Sequence, residues 1–149
     1  MRIFLDTNVI LDYLLKRKSY NKVRQILTAV EHGKIDAVVS FSSYCTLDYI
    51  ISQDLKSQGI KNPERLRRER ELLNGILDLV EIGIISKSSC RTATNDPDFT
   101  DIEDSLQYRC AQESLCEVIV TINLKDYKNV SGADLRIMSP ADFVKEYLQ

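Results

Sequence analysis

The chain has 149 residues, 44% hydrophobic and 28% charged, with a formal net charge of −2; this balance suits one domain, residues 1–149, around one core. No apolar stretch reaches the ~20 residues of a membrane span, and the N-terminus lacks a signal-peptide pattern, so no membrane association and a cytoplasmic location are expected. The charge excludes a generally basic nucleic-acid binder, so any contact with nucleic acid must use a local patch.

Taken in order, RIFLD (2–6) is a short apolar run that predicts a buried strand. Val9, Ile10, Tyr13 and Leu14 then follow at helical spacing. A second helix is expected over 19–32, capped by Ser19 and stopped by Gly33, with His32 as a surface or C-cap residue. A strand is expected over 37–40, then a helix capped by Ser42 or Ser43 that carries Leu47, Ile50 and Ile51. Gly59 and Asn62-Pro63 break that pattern, and Pro63 opens a new helix through PERLRRERELLNGILDL.

Residues 80–86 read as a third strand and 87–94 as a short helix. NDPDFTD (95–101) is a polar loop, and 101–115 form a helix with Ile102, Leu106 and Cys110 on its apolar stripe. EVIVTI (117–122) and LRIMS (135–139) are the last strands, and Pro140 opens a terminal helix. Continuous apolar strands alternating with helices predict a three-layer α/β/α fold, with a central parallel sheet of about five strands covered on both faces. In such folds the ligand site lies beyond the carboxyl ends of the strands.

The acids collect there. Asp6 ends the first strand, and Asp48 lies in the helix after the second. Asp101 and Asp104 begin the helix before the fourth strand, and Asn123 and Asp126 follow that strand. Asp6 alone would serve as a helix cap, and Glu103 answers a helix dipole. Converging carboxylates repel one another unless a cation lies between them. Oxygen ligands without Cys or His favour a hard ion, Mg²⁺ or Mn²⁺. Cys45, Cys90, Cys110 and Cys116 form no CxxC pair and His32 is remote from them, so free thiols are expected rather than zinc.

LDTNVILDYL, DIEDSLQYRCA and IVTINLKDY, with the closing SPADFVKEYL, resemble the PIN domain family, especially the small VapC-like toxin nucleases of bacterial toxin–antitoxin pairs. The resemblance spans essentially the whole chain. It implies a PIN-like, Rossmann-like fold and metal-dependent hydrolysis of RNA phosphodiester bonds. It implies metal ligation by Asp6, Asp104, Asp126 and Asn123, catalysis by Asp6, Asp48, Asp104 and Asp126, and orienting roles for Asn8, Thr121 and Asp101. An antitoxin partner and a homodimer are implied as well.

The chain departs from the family at two points. The second acid is usually Glu, six residues after a Ser that opens the helix, whereas Asp48 follows Ser42 at that spacing. Asp reaches ~1.5 Å less far, about one C–C bond. Asn123 stands where many members carry Asp or Asn, with Asp126 three residues on.

An acidic pocket repels RNA, so cations are needed nearby. Lys56, Lys61, Arg65, Arg67, Arg68 and Arg70 form the candidate arm, and Lys16, Arg17 and Lys18 a second patch. The competing expectation for the arm is a solvated helix, its arginines paired with Glu64, Glu69 and Glu71. Two other functions are weighed. One is a catalytically inactive PIN-like domain that binds RNA or protein. The other is a haloacid dehalogenase-like phosphatase, whose pattern wants a second Asp where this chain has Asn8.

Overall fold

Five apolar runs become five parallel strands of one sheet. The computed structural model describes residues 1–130 and 134–149. The strands are β1 (Arg2–Leu5), β2 (Asp36–Ser40), β3 (Glu81–Gly83), β4 (Val118–Val120) and β5 (Arg136–Met138). The helices are α1 (Thr7–Leu14), α2 (Tyr20–Glu31), α3 (Phe41–Ser57), α4 (Glu64–Leu79), α5 (Lys87–Thr94), α6 (Ile102–Glu113) and α7 (Pro140–Tyr147). A 3-10 turn, Leu124–Tyr127, follows β4.

Spatial order in the sheet is β3-β2-β1-β4-β5. The chain therefore builds outward from β1 on one side, then returns to build outward on the other. The strand order reverses between β1 and β4, and a crevice opens there at their carboxyl ends. β1 is central, and Ile3, Phe4 and Leu5 are wholly buried, each contributing about 1.5–3 kcal/mol of transfer free energy.

Alternation along the strands divides the core between two faces. Ile3 and Leu5 join Val39, Val118 and Val120 under α1, α2, α3 and α7. Phe4, Val38 and Ile119 join Tyr108, Ala111 and Tyr127 on the other face. This is the expected three-layer arrangement.

Several expected boundaries shift. The third strand stops at Gly83 rather than Ser86, because Ile84 is 76% exposed and Ser86 turns to cap α5, accepting from Ser89 N at 3.1 Å. The cap of α3 is Ser40, not Ser42 or Ser43. Ser40 still has extended backbone and accepts from Ser43 N at 3.0 Å. Ser19 sits at the expected N-cap of α2 but makes no side-chain cap bond. Gly33, at φ +68°, ends that helix as expected.

The stripe of α6 also differs. Ile102 is 54% exposed, whereas Ser105, Gln107, Tyr108, Cys110 and Ala111 are buried. Polar groups enter because they find partners, and the Ser105 hydroxyl donates to Ala93 O at 2.8 Å. Gly83 lets α6 approach the sheet closely. A Cβ there would lie 2.8 Å from Cys110 Sγ and from Ser114 Oγ, and 3.0 Å from Val38 Cγ1.

No helix among the described residues is long and apolar enough to cross a membrane.

Candidate metal centre and its comparisons

Asp6 stands at the switch point of the sheet. Its backbone N donates to Val120 O at 3.1 Å, carrying the β1–β4 ladder one residue further. Its extended conformation then opens α1, and Oδ1 accepts from Thr7 N at 2.8 Å. The other carboxylate oxygen, Oδ2, accepts from the Thr121 hydroxyl at 2.8 Å. One side chain thus caps a helix and faces the crevice.

A buried polar network holds Asp6 in place. Gln107 Nε2 donates to Ser43 Oγ at 2.7 Å and lies 3.3 Å from Thr7 Oγ1 and 3.4 Å from Asp6 Oδ1. Thr7 Oγ1 and Ser43 Oγ are 2.6 Å apart, and Ser40 Oγ donates to Ser43 Oγ at 2.9 Å. Asp6, Thr7, Ser40, Ser43, Gln107 and Thr121 are all buried. Such a network orients a carboxylate, and of its side-chain atoms Gln107 Oε1 is left without a partner among the described residues. Thr7, Ser40, Ser43 and Gln107 were missed as site residues from sequence. The one legible signal was spacing: Gln107 follows Asp104 by three residues, on the same face of α6.

Asp104 lies in the first turn of α6, half-buried. Burial, then the charges of Asp126, Asp101, Asp6 and Glu103, push its carboxyl up to about 7. Neither Asp104 nor Asp126 has an ion-pair partner among the described residues. The structure therefore brings Asp6, Asp104 and Asp126 into one electrostatic neighbourhood. Asp101 stands behind them as the cap of α6, accepting from Glu103 N at 2.7 Å and Asp104 N at 3.3 Å.

Asn123 acts through its backbone. Its N–H donates to Thr121 Oγ1 at 3.0 Å, and its carbonyl accepts from Asp126 N at 3.0 Å. Asp126 supplies the charge in that turn.

Two expected members lie outside the hydrogen-bonded network. Asp48 is exposed, and its charge is not among those acting on Asp104. It lies five residues beyond Ser43, the α3 residue that enters the network, and five residues turn a helix about 140° past it. Asn8 is half-buried and makes no side-chain hydrogen bond among the described residues.

The basic arm is largely paired. Arg67 bonds Glu64 at 2.5 Å and Glu71 at 2.5 Å, Arg68 bonds Glu64 at 3.0 Å, and Arg65 lies 3.5 Å from Glu69. Lys56, Lys61 and Arg70 are exposed and outside these pairs. Lys16, Arg17 and Lys18 are exposed beyond the far end of α1, about 12 Å of helix from Asp6.

Among the described residues, no three acidic, His or Cys groups stand close enough to chelate one ion directly. That still fits Mg²⁺, which keeps several waters and takes only one or two protein carboxylates. The donors are hard oxygens, and the Asp104 carboxyl is raised by burial first and then by neighbouring negative charge, which a cation would relieve.

Comparison with known proteins agrees with this fold. A family model described as PIN domain matches residues 2–125. Ribonuclease VapC1 of Aquifex aeolicus (strain VF5) is 25% identical over 148 residues, covering 98% of this chain and 95% of the relative. Among solved structures, VapBC2 from Rickettsia felis, bound to a DNA fragment from their promoter, has a TM-score of 0.64 at 17% identity. That match covers 92% of this chain and 97% of the other. VapBC-1 from nontypeable Haemophilus influenzae also scores 0.64, at 16% identity over 95% and 99% of the two chains. A toxin-antitoxin complex from Klebsiella pneumoniae scores 0.60 at 18% identity over 93% and 97%. The structural matches share the fold, and the family model spans both Asp6 and Asp104: the chain belongs to the PIN domain family.

Proposed function

We propose that this PIN domain is a metal-dependent endoribonuclease and the toxin of a toxin–antitoxin pair. The observation that carries the reading is the grouping of Asp6, Asp104 and Asp126 at the switch point of a parallel sheet. A relative over nearly the whole chain is named a ribonuclease, and the structural neighbours come from toxin–antitoxin complexes. RNA is the substrate in this reading, and a small antitoxin protein the partner. A homodimer belongs to it too, supported by exposed Phe41 and Tyr49 on α3.

Asp6 and Asp104 would hold Mg²⁺ or Mn²⁺, with Asp126 completing the negative site. When bound, the ion supplies Lewis-acid polarisation of a phosphoryl oxygen and a more acidic water for in-line attack. Thr121, Thr7 and Gln107 keep Asp6 aimed at the crevice. Asp101 keeps Asp104 in the first turn of its helix. Asp48 has no part in this reading. Within the arm, Lys56, Lys61 and Arg70 are the cations available to an RNA backbone.

The test is cleavage of structured RNA with Mg²⁺ or Mn²⁺ by wild type, Asp6→Asn and Asp104→Asn. We expect wild type to cut and both variants to lose cleavage while keeping their circular dichroism. Variants that cut like wild type would remove these residues from the site.

A second reading is a PIN domain that binds RNA or protein without cutting. The departures at Asp48 and Asn123 from the family pattern favour it. Wild type that binds Mn²⁺ yet cuts no RNA would establish it. The phosphatase alternative falls with membership of the PIN family.

A further inference from the structure

Tyr127 carries a hydroxyl that its surroundings do not explain. Its ring is 3% exposed and packs in the cluster of Phe4, Ile119 and Tyr108. Phe99 meets it edge-on, with ring centroids 6.1 Å apart. Phenylalanine would fill this space equally well. Yet the Tyr127 hydroxyl is buried and has no hydrogen-bond partner among the described residues. Leaving a buried polar group unpaired is unfavourable, so such a group calls for a cause.

Two acids reach its surroundings by geometry: Asp126 precedes it in the same turn, and Asp104 stands one helical turn before Tyr108, whose ring meets Phe99 as the Tyr127 ring does. A phenol is a hydrogen-bond donor at neutral pH, and burial first, then the charges of Asp6, Asp104 and Asp126, favour that form. Asp6 already accepts from Thr7 N, Thr121 and Gln107. By contrast, neither the Asp104 nor the Asp126 carboxylate accepts any hydrogen bond among the described residues. Asp126 shares the short turn with Tyr127, whereas Asp104 reaches the site from the helix whose Tyr108 packs in the same cluster.

We propose that the Tyr127 hydroxyl is the hydrogen-bond donor that positions the Asp104 carboxylate for a divalent cation. This rests on the metal-dependent reading above. Tyr127 is thereby a positioning residue that touches neither substrate nor ion. The Tyr127 hydroxyl, without a partner among the described residues, would donate to Asp104 where that carboxylate holds a cation. Partners of this kind change metal affinity about 10–100-fold when removed.

The experiment is calorimetric titration of Mn²⁺ into wild type, Tyr127→Phe and Tyr108→Phe, with the melting temperature of each metal-free protein. Tyr108 packs in the same cluster and serves as the control. We expect Tyr127→Phe to melt no lower than wild type and to bind Mn²⁺ about tenfold more weakly, and Tyr108→Phe to bind it like wild type. Affinity of Tyr127→Phe within twofold of wild type overturns the proposal and leaves the metal site standing. Weaker binding accompanied by a lower melting temperature also overturns it, because the hydroxyl would then be structural. Wild type that binds no Mn²⁺ overturns the metal-dependent reading and this proposal together, and that result is read from wild type alone.

Discussion

Thr121 and Asp6 are 115 residues apart in sequence, yet the Thr121 hydroxyl donates to Asp6 Oδ2 at 2.8 Å in the buried crevice between β4 and β1. The same threonine's backbone N donates to Met138 O at 2.9 Å, so its position is set by β5 as well. Thr121→Val keeps the shape and removes the donor. Leaving the Asp6 carboxylate short of a partner costs about 1–3 kcal/mol. We expect urea denaturation to show that loss, RNA cleavage to fall about 10–100-fold, and Thr121→Ser to restore both.

Gly83 sets the distance between α6 and the sheet. Gly83→Ala would bring a Cβ to 2.8 Å from Cys110 Sγ and Ser114 Oγ, in a region where Val38 also closes in at 3.0 Å. Overpacking of this kind costs about 1–3 kcal/mol. Because α6 carries both Asp104 and Gln107, cleavage should fall along with stability. A lower denaturation midpoint with full activity would show that the strain relaxes away from α6.

Asp104 makes metal-free stability depend on pH. Its native carboxyl is pushed up to about 7 from an ordinary 3.8. Below pH 4 both states hold the proton and nothing changes. Between about 4 and 7 the unfolded chain ionises while the native site keeps its proton, so stability falls as pH rises. Three units correspond to at most about 4 kcal/mol. Solvent screening at this half-exposed group reduces that to on the order of 1–2 kcal/mol. Asp104→Asn should therefore flatten the fall in melting temperature between pH 4.5 and 8 in EDTA. Saturating Mg²⁺ should flatten it in wild type. An unchanged slope in the variant would separate Asp104 from the effect.

The cations of the arm should divide by pairing. Lys56, Lys61 and Arg70 are free of the α4 ion pairs, whereas Arg67 bonds Glu64 and Glu71. The triple variant Lys56→Ala, Lys61→Ala, Arg70→Ala should weaken RNA binding uniformly across sequences. It should also lower the slope of log K against log salt, by about 0.7 for each single-strand phosphate that is no longer neutralised. Arg67→Ala should change both binding and stability little, as loss of a surface ion pair does. Fluorescence anisotropy at several salt concentrations measures the binding, and urea denaturation the stability.

Local chemistry was enough to read the run Ile3–Leu5 as a buried strand, the stop at Gly33, the helix over 87–94 and the opening of α7 at Pro140. Each depends on a few neighbouring residues: a continuous apolar run, a glycine at positive φ, a capping serine or a proline in the first turn. The candidate acids were legible for the same reason, since the ends of apolar strands are visible in one dimension.

What waited for the tertiary structure was everything set by direction and contact. Asp48 and Asp104 look alike in sequence, but the turn of α3 leaves Asp48 in solvent while α6 half-buries Asp104 within the field of Asp126, Asp101 and Asp6. Gln107, Ser43 and Thr7 are ordinary polar helix residues in one dimension, until three elements meet and bury them against one another. In sequence Tyr127 is only an aromatic after Asp126, and packing alone revealed that its hydroxyl is the part without a partner. Sequence alone determined the family pattern, the order of elements and the carboxylates at strand ends, because those follow from backbone and burial preferences along the chain. Which carboxylates converge, and what holds them, was decided by the sheet order β3-β2-β1-β4-β5. That order places the ends of β1 and β4 side by side and gives residues more than a hundred positions apart one shared, buried site.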